Sequence, residues 1–316
     1  MQKILIGAAF VLAAVILAFV TGVGPGPALA DAGGYIVEAD QVAQLLNREN
    51  VVMVDMQDQD GYAGGHIEGA VNIARSEIVV NNPYPNLIAP GEQIEMVLGQ
   101  NGIDNDTLIL IYDDSNNMDA ARFWWTLLVY GHEEAKVISG GLQALKNAGF
   151  PVSMDPPAVE AKTFRVAEPN QNYIATIDDI MAQVEDPRED VILLDTRSSE
   201  EFESGTIPGS VLVNYELNNF EDGTYRPVQQ ILLEYKQRGI TADHDIIIFC
   251  AVSVRGAQTF LALYNAGYRN LQLYDAAWVE YSDLKVDECD QVDADVPAEE
   301  EPEEEEPEEE IPAPGG

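Results

Sequence analysis

Two cysteines in 316 residues, Cys250 and Cys289, are too few for a disulfide framework. The three histidines, His66, His132 and His244, are scattered, and no Cys/His group has metal-ligand spacing, so no metal site is expected. Bases are scarce too: 16 Lys and Arg stand against 55 Asp and Glu, a formal charge of −39. Fifteen of the acids lie from Asp287 onward, where there is no Lys or Arg, and the remaining chain is still strongly acidic. Without a basic surface the chain has no means of holding nucleic acid by its phosphates. It also repels anions in general, so an anionic ligand must be received by a few local groups.

What is present begins with a leader. Lys3 precedes an unbroken apolar run over residues 4–20, a Gly/Pro-rich stretch follows, and Ala28-Leu29-Ala30 fits signal-peptidase cleavage after Ala30. The alternative is an uncleaved anchor, a membrane tether through residues 4–20, because the run just reaches the length of a short span. Both readings place the rest of the chain outside the cytoplasm, in a periplasmic or extracellular space. At the other end, residues 287–316 form an acidic Glu/Pro-rich tail expected to be disordered. A solvated tail that keeps the protein dispersed is the plain reading of that composition.

Between these ends the chain is 46% hydrophobic overall and long enough for two domains. Residues 51–54, 108–111, 191–194 and 246–249 are short Val/Ile/Leu runs, which suit parallel strands buried on both faces. Amphipathic stretches separate them; Ala257, Phe260, Leu261 and Tyr264 recur at helical spacing. The alternation predicts an α/β fold. The chain also repeats itself. Asp55 with Gly65-His66-Ile67 and Gly69-Ala70 matches Asp195 with Gly205-Thr206-Ile207 and Gly209-Ser210 at an offset of 140. Tyr112-Asp113 matches Phe249-Cys250 at 137, and Gly131-His132 matches Gly267-Tyr268 at 136. Two copies of one domain are therefore expected, over 35–154 and 173–286, each a mainly parallel sheet flanked by helices. Pro156-Pro157 and Pro169 mark a linker over 155–172.

The chemistry centres on Cys250, which ends a strand just before a helical pattern, in Cys250-Ala251-Val252-Ser253-Val254-Arg255. A strand-to-helix loop aims backbone N–H groups inward with the helix dipole behind them. Those of Ala251, Val252, Ser253 and Val254, with Arg255, would stabilise a thiolate and hold an anionic substrate against it. A buried structural cysteine is the plain alternative. In the first copy Asp113 stands where Cys250 stands, and a carboxylate cannot form a persulfide.

The spaced set Asp195-Thr196-Arg197, Gly205 to Gly209, Cys250 to Arg255, Gly267-Tyr268 and Leu273-Tyr274-Asp275 with Trp278 resembles a rhodanese catalytic domain. The first half resembles the inactive N-terminal domain of tandem thiosulfate and 3-mercaptopyruvate sulfurtransferases. Arg122-Phe123-Trp124-Trp125, Gly131-His132 and Ser139-Gly140-Gly141 carry that match. The resemblance, over residues 35–285, implies a sulfurtransferase without cofactor. Its Cys250 would take sulfur from a small anionic donor, thiosulfate or 3-mercaptopyruvate, and pass it to cyanide, a thiol or a protein acceptor. It also implies that Arg197 anchors substrate; a strand-end salt bridge to a neighbouring Glu is the alternative. Rhodanese-related phosphatases have five residues between Cys and Arg against four here, so phosphoryl transfer fits less well. Ser253 replaces the Gly of many such loops, and Thr206 replaces a common His that reads as a structural contact. Trp278 is assigned either to the site or to the core, and Cys289 to an incidental thiol or a resolving partner. The rival from another class is an exported, non-catalytic binding or scaffold module.

Overall fold

The computed structural model describes residues 34–294, with side chains to Lys285. The leader expected over 1–30, the tail beyond 294 and the side chain of Cys289 lie outside the described residues.

Each half is built on one five-stranded parallel sheet. In the first, the order is Ile36–Val37, Ala135–Ile138, Leu108–Tyr112, Val51–Asp55, Val71–Asn72. In the second it is Ile174–Ala175, Leu271–Tyr274, Asp245–Phe249, Val191–Asp195, Val211–Leu212. The apolar runs read from the sequence form the central strand of each sheet and one of its two neighbours. All five residues of Leu108–Tyr112 are buried, and each such Leu or Ile contributes about 1.5–3 kcal/mol of burial. That is why these strands read as unbroken apolar runs and not as alternating patterns.

Register decides where the functional loops emerge. Asp55 pairs with Tyr112 and Asp195 with Phe249 at the strand ends. Met56 and Asp113 therefore leave the first sheet side by side, as Thr196 and Cys250 leave the second. These are the carboxyl ends of neighbouring parallel strands, the usual place for a ligand crevice in such sheets.

Helices Met118–Val129 and Val254–Asn265 follow the two central strands and pack on each other across the halves. Trp124 lies 6.4 Å from Phe260 and 5.5 Å from Tyr264, ring centre to ring centre. Nearly every residue of both helices is buried, since one face meets its own sheet and the other meets the partner helix. The two halves thus share one hydrophobic core. The linker is laid along the first half: Phe164 is buried, and the N–H groups of Lys162, Ala167 and Asn170 donate to Gly99, Tyr130 and Val129 carbonyls. The final helix runs from Ala277 to Ala294, so it passes the boundary at 286 expected from composition. Charge alone does not end a helix whose first turns are packed.

Candidate functional site

The turn that carries Cys250 is short. The strand ends at Phe249 and the helix begins at Val254, with Ser253 as its N-terminal cap in a left-handed conformation, φ +65°. Arg255 is therefore on the first helical turn and not part of the loop, a correction to the sequence reading. Cys250 is 1% exposed. Its carbonyl accepts the Trp278 N–H at 3.0 Å and that of Ala251 accepts Val279 N–H at 3.3 Å, so the start of the last helix grips the loop from behind. Ala251 and Val252 are half-buried and Val254 is buried. Among the described residues no acceptor is bonded to the N–H groups of Ala251, Val252 or Ser253.

Each side chain expected at the substrate has a protein partner in this structure. The Ser253 hydroxyl donates to the Tyr274 carbonyl at 3.0 Å and to that of Asp275, so it is tied to the neighbouring strand end and not offered to a ligand. Arg255 forks onto Glu201 at 2.6 and 2.7 Å and also interacts with the Cys250 side chain. The Glu201 hydrogen bonds hold its guanidinium above the ordinary range against the effect of burial. Glu201 in turn is held down to about 2, chiefly by the Arg255 hydrogen bonds. Arg197 is buried on Asp195, from Nε to both oxygens and from Nη2 at 2.7 Å; Nη2 also donates to the Gly205 carbonyl. Its guanidinium carbon lies 4.5 Å over Trp278. The strand-end salt bridge is what forms, with Asp195 and not a Glu as partner. A cavity of about 360 Å³ lies beside these pairs, lined by Arg197, Glu200, Glu201, Ser204, Gly205 and Trp278. Thr206 donates to Asp195 at 2.9 Å, and His66 stacks on Tyr62 at 3.7 Å, which makes both structural contacts.

Glu201 and Arg122 escaped the sequence reading as parts of this neighbourhood, and Asp195 and Asp275 entered it only as motif positions. Glu201 had a visible signal, the Ser198-x-x-Glu201 capping pattern, which the structure forms. The pairing of Arg122 with Asp275 depends on tertiary register, whereas Asp195 is a near neighbour of Arg197 in sequence.

The first half shows what the same scaffold does with an anion in place. Asp113, 2% exposed, accepts N–H bonds from Asn117 at 2.9 Å and Ser115 at 3.2 Å on one oxygen, and from Ala120 at 3.0 Å on the other. Asn117 occupies the left-handed capping place that Ser253 takes in the second half. Burial, and the nearby Asp119, push the Asp113 carboxyl up to about 6 although the N–H bonds oppose this. Where Arg255 meets Glu201, the first half reverses the charges, with Asp119 paired to Arg75. The approach of the adjacent turn is very close there: a Cβ on Gly141, φ +54°, would sit 2.1 Å from the Asp113 carbonyl oxygen. Gly141→Ala is expected to cost about 2 kcal/mol or more of stability, read as a lowered urea midpoint. An unchanged midpoint would mean the Asp113 loop gives way.

Comparison with known proteins agrees with this architecture. The family model described as rhodanese-like domain matches residues 38–148 and 176–284. A Mycobacterium leprae protein named "Putative thiosulfate sulfurtransferase" is 28% identical over 268 residues, 79% of this chain and 95% of that one. The sulfur carrier protein TtuD of Thermus thermophilus is 26% identical over 79% of this chain and 94% of its own. Among solved structures, the 3-mercaptopyruvate sulfotransferase SseA of Escherichia coli superimposes with a TM-score of 0.69 at 24% identity, covering 78% of this chain and 99% of that one. With two copies of the domain in one compact body, the chain belongs to the rhodanese-like sulfurtransferase family.

Proposed function

We propose that the protein is a thiosulfate-type sulfurtransferase in which Cys250 carries the sulfur. The observation that bears most weight is the paired cradle. One strand-to-helix turn holds the Asp113 carboxylate on three backbone N–H groups, and its counterpart presents a thiol with Arg255 beside it. Orphan N–H groups at a helix start receive negative charge. In the first half that charge is covalently resident. In the second it arrives with the substrate.

The Cys250 thiolate attacks the outer sulfur of thiosulfate; the new S–S bond forms as the bond to the sulfonate sulfur breaks, and sulfite leaves with that electron pair. Backbone N–H groups of Ala251, Val252, Ser253 and Val254 offset the charge as it moves. Cyanide or a thiolate then attacks the terminal persulfide sulfur and returns Cys250 as thiolate. Thiosulfate is preferred to 3-mercaptopyruvate for a geometric reason. A planar carboxylate is best held by a two-pronged arginine, and both arginines of the site are already forked onto carboxylates. A compact tetrahedral sulfonate is served by convergent N–H groups instead. We read the leader as an export signal, which would place this activity outside the cytoplasm.

The second reading, a binding module without turnover, draws on the 1% exposure of Cys250. Side-by-side incubation with thiosulfate and 3-mercaptopyruvate separates the two. A gain of about 32 Da on the Cys250 peptide, faster with thiosulfate, is the expected result. No gain with either donor would overturn the sulfurtransferase reading.

A further inference from the structure

We infer that Arg122, supplied by the half that lacks the cysteine, is a positioning residue for the Cys250 loop, acting through Asp275 and Ser253. The inference rests on the sulfur-carrier reading of Cys250 and adds to it a residue from the other domain.

The contacts form a continuous chain. Arg122 is fully buried and donates to Asp275 Oδ1 at 2.7 Å and to the Asn86 carbonyl at 2.7 Å. The second oxygen of Asp275 takes the Ile88 N–H at 2.8 Å, also from the first half. The backbone carbonyls of Tyr274 and Asp275 receive the Ser253 hydroxyl, which fixes the left-handed residue that turns the Cys250 loop into its helix. Three residues beyond Asp275, Trp278 N–H holds the Cys250 carbonyl. One side chain thus sets the place of the turn that grips the loop at two points.

Stability alone is a poor account of this pair. The Nε and Nη1 groups of Arg122 are buried without hydrogen-bond partners, with the Trp125 ring 4.6 Å from the guanidinium carbon. A buried ion pair left partly unsatisfied is commonly matched or bettered by an apolar replacement. The corresponding residues over the other turn are neutral and bond to other partners. Gln258 stands where Arg122 stands and bonds with Asn218 and Asn219, and Ser139 stands where Asp275 stands and accepts the Tyr225 N–H. The charged version sits over the cysteine.

The test is Cys250 alkylation by iodoacetamide across pH, followed on the Cys250 peptide by mass, together with thiosulfate kinetics. The charged groups near the loop are Arg255 paired to Glu201, Arg197 paired to Asp195, Asp275, and Glu280 on the last helix, which accepts from the Tyr274 hydroxyl; all are retained in Arg122→Gln. In that variant the alkylation midpoint is expected to rise by about one pH unit as the N–H groups lose their aim. The kcat is expected to fall about ten-fold while KM for thiosulfate stays within about two-fold. Arg122→Lys, which keeps a cation on Asp275, should recover most of the difference. Should Arg122→Gln fail to fold, Arg122→Gln/Asp275→Ser installs the residues of the other half, leaves no unpaired buried charge and gives the same readouts. A folded variant with the wild-type alkylation profile and only a lower unfolding midpoint overturns the inference. If wild type takes up no sulfur, the functional reading falls, while alkylation, which needs no sulfur transfer, still judges Arg122.

Discussion

Cys250→Ser is expected to remove thiocyanate formation from thiosulfate and cyanide, by roughly 10⁴-fold or more in kcat, while leaving the fold intact. The hydroxyl is nearly the size of the thiol, so a side chain that is 1% exposed keeps its packing. The chemistry does not survive. An alcohol near neutral pH is almost wholly protonated, and Arg255, already forked onto Glu201, cannot supply the missing ionisation. The converse graft makes the reasoning stricter. Asp113→Cys in the Cys250→Ser chain is expected to stay inactive, although it puts a thiol on the same strand end. Asp119 occupies the place of Arg255, and Asp114 adds a second negative charge to the cavity beside it. Thiocyanate release reads both variants, and the mass of the peptide that carries position 113 reads the graft. Full turnover by Cys250→Ser would remove Cys250 from the mechanism altogether.

The asymmetry between the two halves was partly visible in the sequence. The repeat was legible because each copy keeps four to five apolar residues before a polar strand end, and buried parallel strands tolerate little else. Asp113 at the place of Cys250 was legible for the same reason. The start of the following helix was not. Ser253 caps it with a left-handed backbone and bonds to another strand, not with a hydroxyl on its own helix, so no local capping pattern announced it. Arg197 and Arg255 were legible as cations near the Cys250 loop, but the sequence could not show both paired to carboxylates. Asp195 is two residues from Arg197, yet Glu201 reaches Arg255 across 54 positions and Arg122 reaches Asp275 across 153. Such pairs exist only once the sheets are in register and the halves are packed. The acidic run from 287 misled in a simpler way: its first residues continue a helix that the packing of Trp278 and Tyr281 has already begun.

Asp113 should also leave a mark on stability, because its carboxyl rises from the ordinary carboxylate range to about 6 in the folded chain. The sign follows from proton counting. Between about pH 4 and 6 the native state binds a proton at Asp113 that the unfolded chain has released, so unfolding becomes easier as pH rises through this window. The contribution is fully present below the unfolded value, and it is lost as pH passes the folded one. A shift of this size corresponds to about 3 kcal/mol. Burial is the largest cause, and Asp119 adds repulsion, while the N–H bonds from Ala120, Asn117 and Ser115 restrain the rise. Arg75 is paired to Asp119, and Tyr225 from the second half is buried close by, its hydroxyl kept protonated by burial and by Asp113. Asp113→Asn removes the titration while preserving shape, although its amide meets one of the three N–H donors and weakens that contact. The useful quantity is therefore the difference between the two proteins. Urea unfolding at pH 4, 5, 6 and 7 is expected to show the wild-type stability falling relative to Asp113→Asn by about 2.5 kcal/mol across that range. A constant difference would mean that Asp113 is charged throughout, and that the N–H cradle outweighs its burial.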